Sequence, residues 1–119
     1  MKNDQYPLFL HWYKTLDWIL DRCESLPKNA RFSIAARLAD YALDTLEQIT
    51  EAIYRKDKAP LLHQINLNLE KLRILFRLCH DRRYISVQQY GYISGLINEA
   101  GRMTGGWLKS LSKPGNPPA

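Results

Sequence analysis

The chain has little of what metal sites and catalytic centres are built from. Among its 119 residues are only two cysteines and three histidines. No glutamate is followed by a histidine three positions later, as a di-iron bundle requires, and neither H-x-x-x-H nor C-x-x-C occurs. The glycine-rich stretch 101–106 lacks the spacing of a dinucleotide-binding loop and follows no predicted strand. We therefore expect no metal, no cofactor and no catalytic activity.

Long apolar runs are also missing. No segment approaches the roughly 18 uninterrupted apolar residues of a membrane span, and the N-terminal stretch has no apolar run followed by a small-residue cleavage site. We expect a cytoplasmic protein with no membrane partner. Cys23 and Cys79 fall on apolar helical positions, which is typical of buried, reduced thiols, although spacing alone leaves a bridge between them open.

Patterns typical of strands are nearly absent, and the sequence instead favours helices. Four stretches carry apolar residues at steps of three and four, the spacing of one helical face. They predict helices at 7–25, 30–54, 58–80 and 87–111. Because the connections are only a few residues long, successive helices must run antiparallel. We predict an all-α fold, an antiparallel up-down-up-down four-helix bundle that forms one domain over 1–111, followed by a flexible tail at 112–119.

The caps and the inward faces of these helices can be assigned as well. Asn29 and Asp57 are candidate caps of the second and third helices. Ser86 and Gln89 form a capping-box pattern at the start of the fourth. The predicted seams are Phe9, Trp12, Leu16, Ile19, Cys23 and Leu26; Phe32, Ala35, Ala39, Ala42, Leu46, Ile49 and Ile53; Leu62, Ile65, Leu69, Leu72, Phe76 and Cys79; and Tyr90, Ile93, Ile97, Ala100, Thr104, Trp107 and Leu111.

The third helix has more apolar residues than its seam needs. Leu67, Ile74 and Leu78 lie on the opposite side, which faces outward in a four-helix bundle. A helix that is apolar on two faces is usually buried on both, so this stripe predicts an oligomer interface. Leu10 and Trp18 of the first helix also lie off its seam, and Trp18 is assigned to the same interface. The alternative is a set of scattered surface hydrophobes, which are normal.

Basic residues outnumber acidic ones, 17 to 12, and residues 82–119 contain five basic side chains against one acidic. Such an excess attracts polyanions, or it serves only solubility. On the third helix, Arg73 and Arg77 are four residues apart and are spaced to grip successive phosphates. Alternatively, each arginine pairs with a nearby carboxylate such as Glu70.

Further basic residues fall in two of the turns. Lys28 and Arg31 flank the first turn, and Arg82 and Arg83 lie in the third, where Tyr84 is available to stack on a base. Both turns lie at the same end of an antiparallel bundle, so the topology predicts one basic patch. The alternative is that these charges are simply solvated.

Two other patterns leave their roles open. Five glycines, at 91, 95, 101, 105 and 106, fall in the fourth helix, where each costs about 1 kcal/mol relative to alanine. This favours close helix packing or a bend. The second helix carries an acidic ridge, which is either a solvated face or a contact with a neighbouring subunit. The ridge consists of Asp40, Asp44, Glu47 and Glu51.

Four motifs occur in order over residues 7–111: Pro7-Leu8-Phe9 with Trp12; Leu26-Pro27-Lys28 with Arg31-Phe32; Leu69-Glu70-Lys71-Leu72-Arg73 with Arg77-Leu78; and Gly101-Arg102-Met103 with Gly105-Gly106-Trp107-Leu108. With them the chain resembles the accessory variability determinant proteins of diversity-generating retroelements. It also resembles the related small four-helix proteins encoded within intervening sequences of bacterial 23S ribosomal RNA genes.

The resemblance implies a ring-like homopentamer that binds RNA and DNA with little sequence preference and associates with the retroelement reverse transcriptase. It implies a non-catalytic supporting role in mutagenic cDNA synthesis and retrohoming. The ribosomal-intervening relatives leave a second interpretation, a protein-interaction module with no direct nucleic-acid role. The family's basic positions match Arg73, Arg77 and Arg102, and less closely Lys28 and Arg31; Arg82 and Arg83 have no motif counterpart.

Overall fold

Helical segments follow one another along residues 1–112, the part of the chain that the computed structural model describes. Two are short 3₁₀ turns, Lys2–Gln5 and Lys28–Ala30. The others are α-helices: α1 Pro7–Ser25, α2 Ile34–Tyr54, α3 Ala59–Asp81 and α4 Val87–Leu111. These described residues contain no strand. Most of the tail predicted at 112–119 lies outside them.

The four α-helices pack side by side in a bundle of 48 × 22 × 21 Å. Helix α1 lies against α2 and α4, and α3 lies against the same two. The predicted all-α four-helix architecture is therefore confirmed. None of these helices, within 1–112, is both long and apolar enough to cross a membrane.

One apolar face of each helix is buried in a shared core. The predicted seam of α3 is buried along its whole length. In α1, the fully buried indole of Trp12 reaches across to α2, where its Nε1 donates a 2.9 Å hydrogen bond to the carbonyl of Ala42. A small residue at that position makes room for the ring. Between α1 and α4, Nε2 of His11 donates a 2.8 Å hydrogen bond to the carbonyl of Leu96.

Helix α2 begins four residues later than predicted, so two predictions at its start are wrong. Residues 28–30 form a 3₁₀ turn, and the cap of α2 is Ser33 rather than Asn29. The connection is held by Leu26 and Ala30, whose side chains are buried, and Phe32 then points into solvent with 96% of its surface exposed. The spacing that placed Phe32 in the seam continues the α2 pattern backwards, but the backbone there is not yet helical.

Asp57 was predicted to cap α3, but the N-cap residue is Lys58. It precedes α3, which begins at Ala59 without a side-chain cap. Its ammonium turns back to the end of α2 and donates to the carbonyls of Ala52, Ile53 and Arg55, at 2.6, 3.2 and 2.8 Å. Helix ends leave such carbonyls without partners in the helix, and a lysine there also interacts favourably with the helix dipole.

Helix α4 shows one predicted feature and lacks another. At its start, Ser86 Oγ accepts a 3.0 Å hydrogen bond from the N–H of Gln89, and Gln89 Oε1 accepts one of 2.9 Å from the N–H of Ser86. The capping box is therefore confirmed. At the other end, Leu111 is exposed rather than part of the seam. The helix runs one turn past the buried Trp107, which packs against Tyr6 at the edge of the core.

We expect Ser86→Ala to lower the free energy of unfolding by about 1 kcal/mol, because the N–H of Gln89 loses its acceptor at a helix start. The matched control is Ser33→Ala, since Ser33 caps α2 without a side-chain hydrogen bond to its first turn. Urea denaturation of both variants checks the difference. Equal losses in the two variants would contradict a stabilising role for the capping box.

Candidate nucleic-acid interface

The connection between α1 and α2 presents two cations to solvent. Lys28 and Arg31 are exposed, while the neighbouring Leu26 and Ala30 anchor the backbone in the core. Neither cation forms an ion pair with a carboxylate of residues 1–112. Arg31 lines a groove of about 540 Å³ between α1 and α2 that also contains Glu24, but the two do not pair. Both positive charges therefore remain available to an anionic partner.

The turn between α3 and α4 is closed by backbone hydrogen bonds that force an arginine into an unusual conformation. The N–H of Arg83 donates to the carbonyl of His80 at 3.0 Å, and that of Tyr84 to the carbonyl of Cys79 at 2.8 Å. This pair of bonds is the Schellman ending of a helix, whose left-handed position is usually glycine. Here the position is held by Arg83, with φ of 60°. A left-handed residue with a side chain costs about 1–2 kcal/mol.

The side chains of this turn are arranged around Tyr84. Arg82 Nε donates a 2.9 Å hydrogen bond to the Tyr84 hydroxyl, and its guanidinium carbon lies 5.3 Å from the centre of the ring. Tyr84 is half-buried against the core, so its ring supports the guanidinium more than it presents a free face. Arg82 and Arg83 are exposed, and neither pairs with a carboxylate of the described residues. The carboxylate of nearby Asp81 lies 3.4 Å from Nδ1 of His80.

Contacts between the helices bring the two turns to the same end of the bundle. At the end of α1, Cys23 Sγ lies 3.5 Å from the carbonyl of Ala35 at the start of α2. Burial, and then the proximity of Cys23, raises the pKa of Cys79 at the end of α3 to about 11. These contacts place Lys28, Arg31, Arg82 and Arg83 at one end, as the topology predicted. We call these four residues the cationic end.

Arg73 does not belong to that surface. Its Nη1 donates to Glu70 Oε2 at 3.0 Å, and its Nε donates to Asn98 Oδ1 of α4 at 3.2 Å. The side chain is only 35% exposed, because it lies across the α3–α4 interface. Of the two roles left open for this arginine, the structure shows local pairing with Glu70.

Of the other two arginines predicted to bind nucleic acid from α3 and α4, Arg102 is paired with a carboxylate and Arg77 is not. Arg102 forms an ion pair with Glu99 one turn earlier, and the guanidinium Nε donates to that carboxylate at 3.0 Å. Arg77 is exposed and unpaired within residues 1–112; it lines a small cavity of about 290 Å³ with Ile74, Leu78 and Asp81. The ridge predicted from Arg73 and Arg77 thus supplies only one free charge, that of Arg77.

The outward apolar stripe of α3 is present. Leu67, Ile74 and Leu78 are 50%, 60% and 41% exposed, on the face opposite the seam. Trp18 is a different case: its ring packs within the same bundle, with centroids 6.3 Å from Phe76 and 5.5 Å from Tyr92. Trp18 is therefore partly covered by its own chain. The exposed part of the predicted oligomer interface consists of Leu67, Ile74 and Leu78, which we call the α3 stripe.

The structure also places two basic residues beside the α3 stripe that no sequence pattern indicates. Arg37 and Lys71 line a shallow cavity of about 170 Å³ between α2 and α3, together with Tyr41 and Ile74. Lys71 Nζ lies 5.2 Å from the centre of the Tyr41 ring. No pattern along the chain indicates this grouping, because it depends on how α2 and α3 are aligned against each other.

Close helix packing, one of the two explanations for the glycines of α4, applies to few of them. At positions 91, 95 and 105 nothing lies within 4 Å of where a Cβ would stand. The exception is Gly101, where a Cβ would lie 3.1 Å from Nη2 of Arg73. This glycine leaves space for the buried part of the Arg73 guanidinium.

We expect Gly95→Ala to raise the free energy of unfolding by about 1 kcal/mol, because an open glycine in a helix interior gives way to the best helix former. Gly101→Ala should gain less, since the new methyl group would stand 3.1 Å from Nη2 of Arg73 and the guanidinium must shift by a few tenths of an ångström. Thermal and urea unfolding of the two variants measure the difference. Equal gains would show that the contact between Gly101 and Arg73 carries no energy.

We expect Arg83→Gly to stabilise the fold by about 0.5–1 kcal/mol, because glycine adopts positive φ without steric strain. Arg82→Gly removes the same charge from a residue with φ of −83° and should destabilise it by a similar amount. Urea denaturation of both variants at one ionic strength makes the comparison. Destabilisation by Arg83→Gly would mean that the arginine side chain stabilises the turn by more than its backbone strain.

No curated protein and no solved structure matches the chain. A sequence model of the bAvd-like family, in contrast, matches residues 8–111, which include all four α-helices but for the first residue of α1. A match over so much of the chain shows that this protein belongs to the bAvd-like family.

Proposed function

We propose that this protein is a nucleic-acid-binding accessory subunit of a diversity-generating retroelement. In this proposal it binds RNA and DNA in the cytoplasm, assembles as a homopentamer, associates with the reverse transcriptase and supports mutagenic cDNA synthesis and retrohoming. Family membership gives the context. The observation that carries the proposal is the cationic end, where four basic side chains lie at one end of the bundle without a carboxylate partner in the described part of the chain.

The physical argument concerns where positive charge is left uncompensated. A cation that already pairs with a carboxylate must give up that partner before it binds a phosphate, whereas an unpaired cation only releases water and counterions. Arg73 and Arg102 belong to the first class, and the residues of the cationic end to the second. Phosphate contacts are therefore expected at the cationic end, with Arg77 one turn before it as a fifth contact.

A second function is favoured by a different observation, the exposed α3 stripe. Apolar side chains grouped on one helix face favour a protein partner. If that partner is a second copy of the chain, the stripe supports the proposed pentamer. If it is another protein, this chain is an interaction module of the kind suggested by the ribosomal-intervening relatives, and the basic excess serves solubility alone.

We expect Lys28→Ala/Arg31→Ala to weaken binding of a labelled RNA hairpin and to lower its salt dependence. Each lost phosphate contact should reduce the slope of log affinity against log salt by about 0.7–0.9. Fluorescence anisotropy at several salt concentrations measures both quantities.

The control is Arg55→Ala/Lys56→Ala, which removes two adjacent cations from the other end of the bundle, the first of them paired with Glu51 at 4.0 Å. Native mass spectrometry checks that all variants keep the same number of subunits. Equal weakening by both pairs would mean that net charge, not the cationic end, attracts RNA. Absence of binding at low salt would favour the interaction module.

A further inference from the structure

Phe32 is the most exposed large apolar side chain among residues 1–112, with 96% of its surface in contact with solvent. It lies in the turn between the 3₁₀ segment Lys28–Ala30 and α2. The inward position of this connection is taken instead by Ala30, two residues earlier, which is buried. The turn is thus anchored by a small residue and presents a phenyl ring outward.

The charges around this ring are mostly positive. Lys28 and Arg31 are in the same connection, and Arg82 and Arg83 are in the other turn at this end of a bundle only 22 × 21 Å across. The nearby carboxylates are Glu24, Asp21 and Asp81. Asp21 pairs with Arg22, Asp81 Oδ1 lies 3.4 Å from Nδ1 of His80, and Glu24 lines the groove beside Arg31 without pairing with it, so cations outnumber carboxylates here. The surface around Phe32 is therefore complementary to an anion.

An apolar ring among unpaired cations fits one class of polymer best. In single-stranded nucleic acid, bases are free to stack on aromatic side chains while phosphates meet a basic surface. In a duplex the base faces are covered by their neighbours. A protein partner fits less well, since the apolar centres of protein interfaces are depleted of charged residues.

We infer that the cationic end is a binding site for single-stranded RNA or DNA in which Phe32 stacks on a base and Lys28, Arg31, Arg82 and Arg83 contact the flanking phosphates. The inference rests on the proposed function and adds to it the strand state of the ligand and the residue that selects it. Nothing in the arrangement reads base edges, so binding is sequence-tolerant.

The test measures binding of unstructured oligo(U) and oligo(dT), and of an RNA duplex of equal length, by fluorescence anisotropy. Phe32→Ala should weaken binding of both single strands about 5- to 150-fold, the range that removal of one base-stacking aromatic gives. The salt slope should stay unchanged, because no charge is removed. Duplex binding should also stay unchanged.

Three further variants show which property of the Phe32 side chain single-strand binding requires. Phe32→Tyr keeps the ring and should bind as the native protein does, whereas Phe32→Leu keeps apolar bulk without a π face and should bind as weakly as Phe32→Ala. Phe32→Trp adds an exposed indole, and single strands should quench its emission. Tyr54→Ala is the control, since Tyr54 is an exposed aromatic at the other end of the bundle, beside Lys2. Circular dichroism checks that each variant is folded.

The possible failures are distinct. Unchanged single-strand affinity in Phe32→Ala overturns the inference but leaves the proposed function in place. Native single-strand affinity in Phe32→Leu overturns it in favour of apolar docking. If Phe32→Ala weakens duplex binding equally, Phe32 contributes only to general attraction, and if it changes the number of subunits, Phe32 serves self-assembly; either result also overturns the inference. If the native protein binds neither single strand nor duplex at low salt, the inference and the proposed function fail together.

Discussion

Burial of four apolar helix faces in one core is the constraint on which the rest of this structure depends. Because the helices are joined by short connections, they alternate in direction, and the first and third turns meet at one end. Residues distant in the chain, such as Arg31 and Arg82, thereby lie at the same end of the bundle. Hydrogen bonds across the core, from Trp12 to the carbonyl of Ala42 and from His11 to that of Leu96, help to fix the alignment of α1 against its neighbours.

The same geometry explains where positive charge is compensated. On a helix, residues three apart are neighbours, so Glu70 and Glu99 reach Arg73 and Arg102 on their own helices. Lys28, Arg31, Arg82 and Arg83 lie in connections instead, and none of them pairs with a carboxylate of residues 1–112. Exposed ion pairs contribute little to stability, roughly 0–1 kcal/mol. Their effect here is on the electrostatic field, which is weakened around Arg73 and Arg102 and kept at the cationic end.

The sequence predicts most of the helices but not the environment of their side chains. Helices α1, α3 and α4 are found nearly to the residue, because their apolar spacing is unbroken and Pro7, Ser86 and Pro60 mark their starts. The start of α2 is missed, since Phe32 fits the three-four spacing while the local backbone is set by the burial of Leu26 and Ala30.

Parts of the candidate site are likewise predictable from the sequence, and parts are not. Topology alone brings the two basic turns together, because it needs only the helix count and short connections. The pairing of Arg73 with Glu70 is suggested by their spacing, but its contacts with Asn98 and Gly101 depend on how α3 meets α4. Phe32 becomes a candidate only when its exposure is known. Periodicity along one helix carries no information of this kind.

The α3 stripe and the cationic end face perpendicular directions, one along the side of the bundle and one across its tip. Copies that joined through their sides and pointed the same way would bring their tips onto one rim. A flexible polymer held at one tip would then meet the next at an effective concentration set by subunit spacing rather than by bulk solution. Each contact could be weak and short-lived, and the polymer would still be retained while it slid from one subunit to the next.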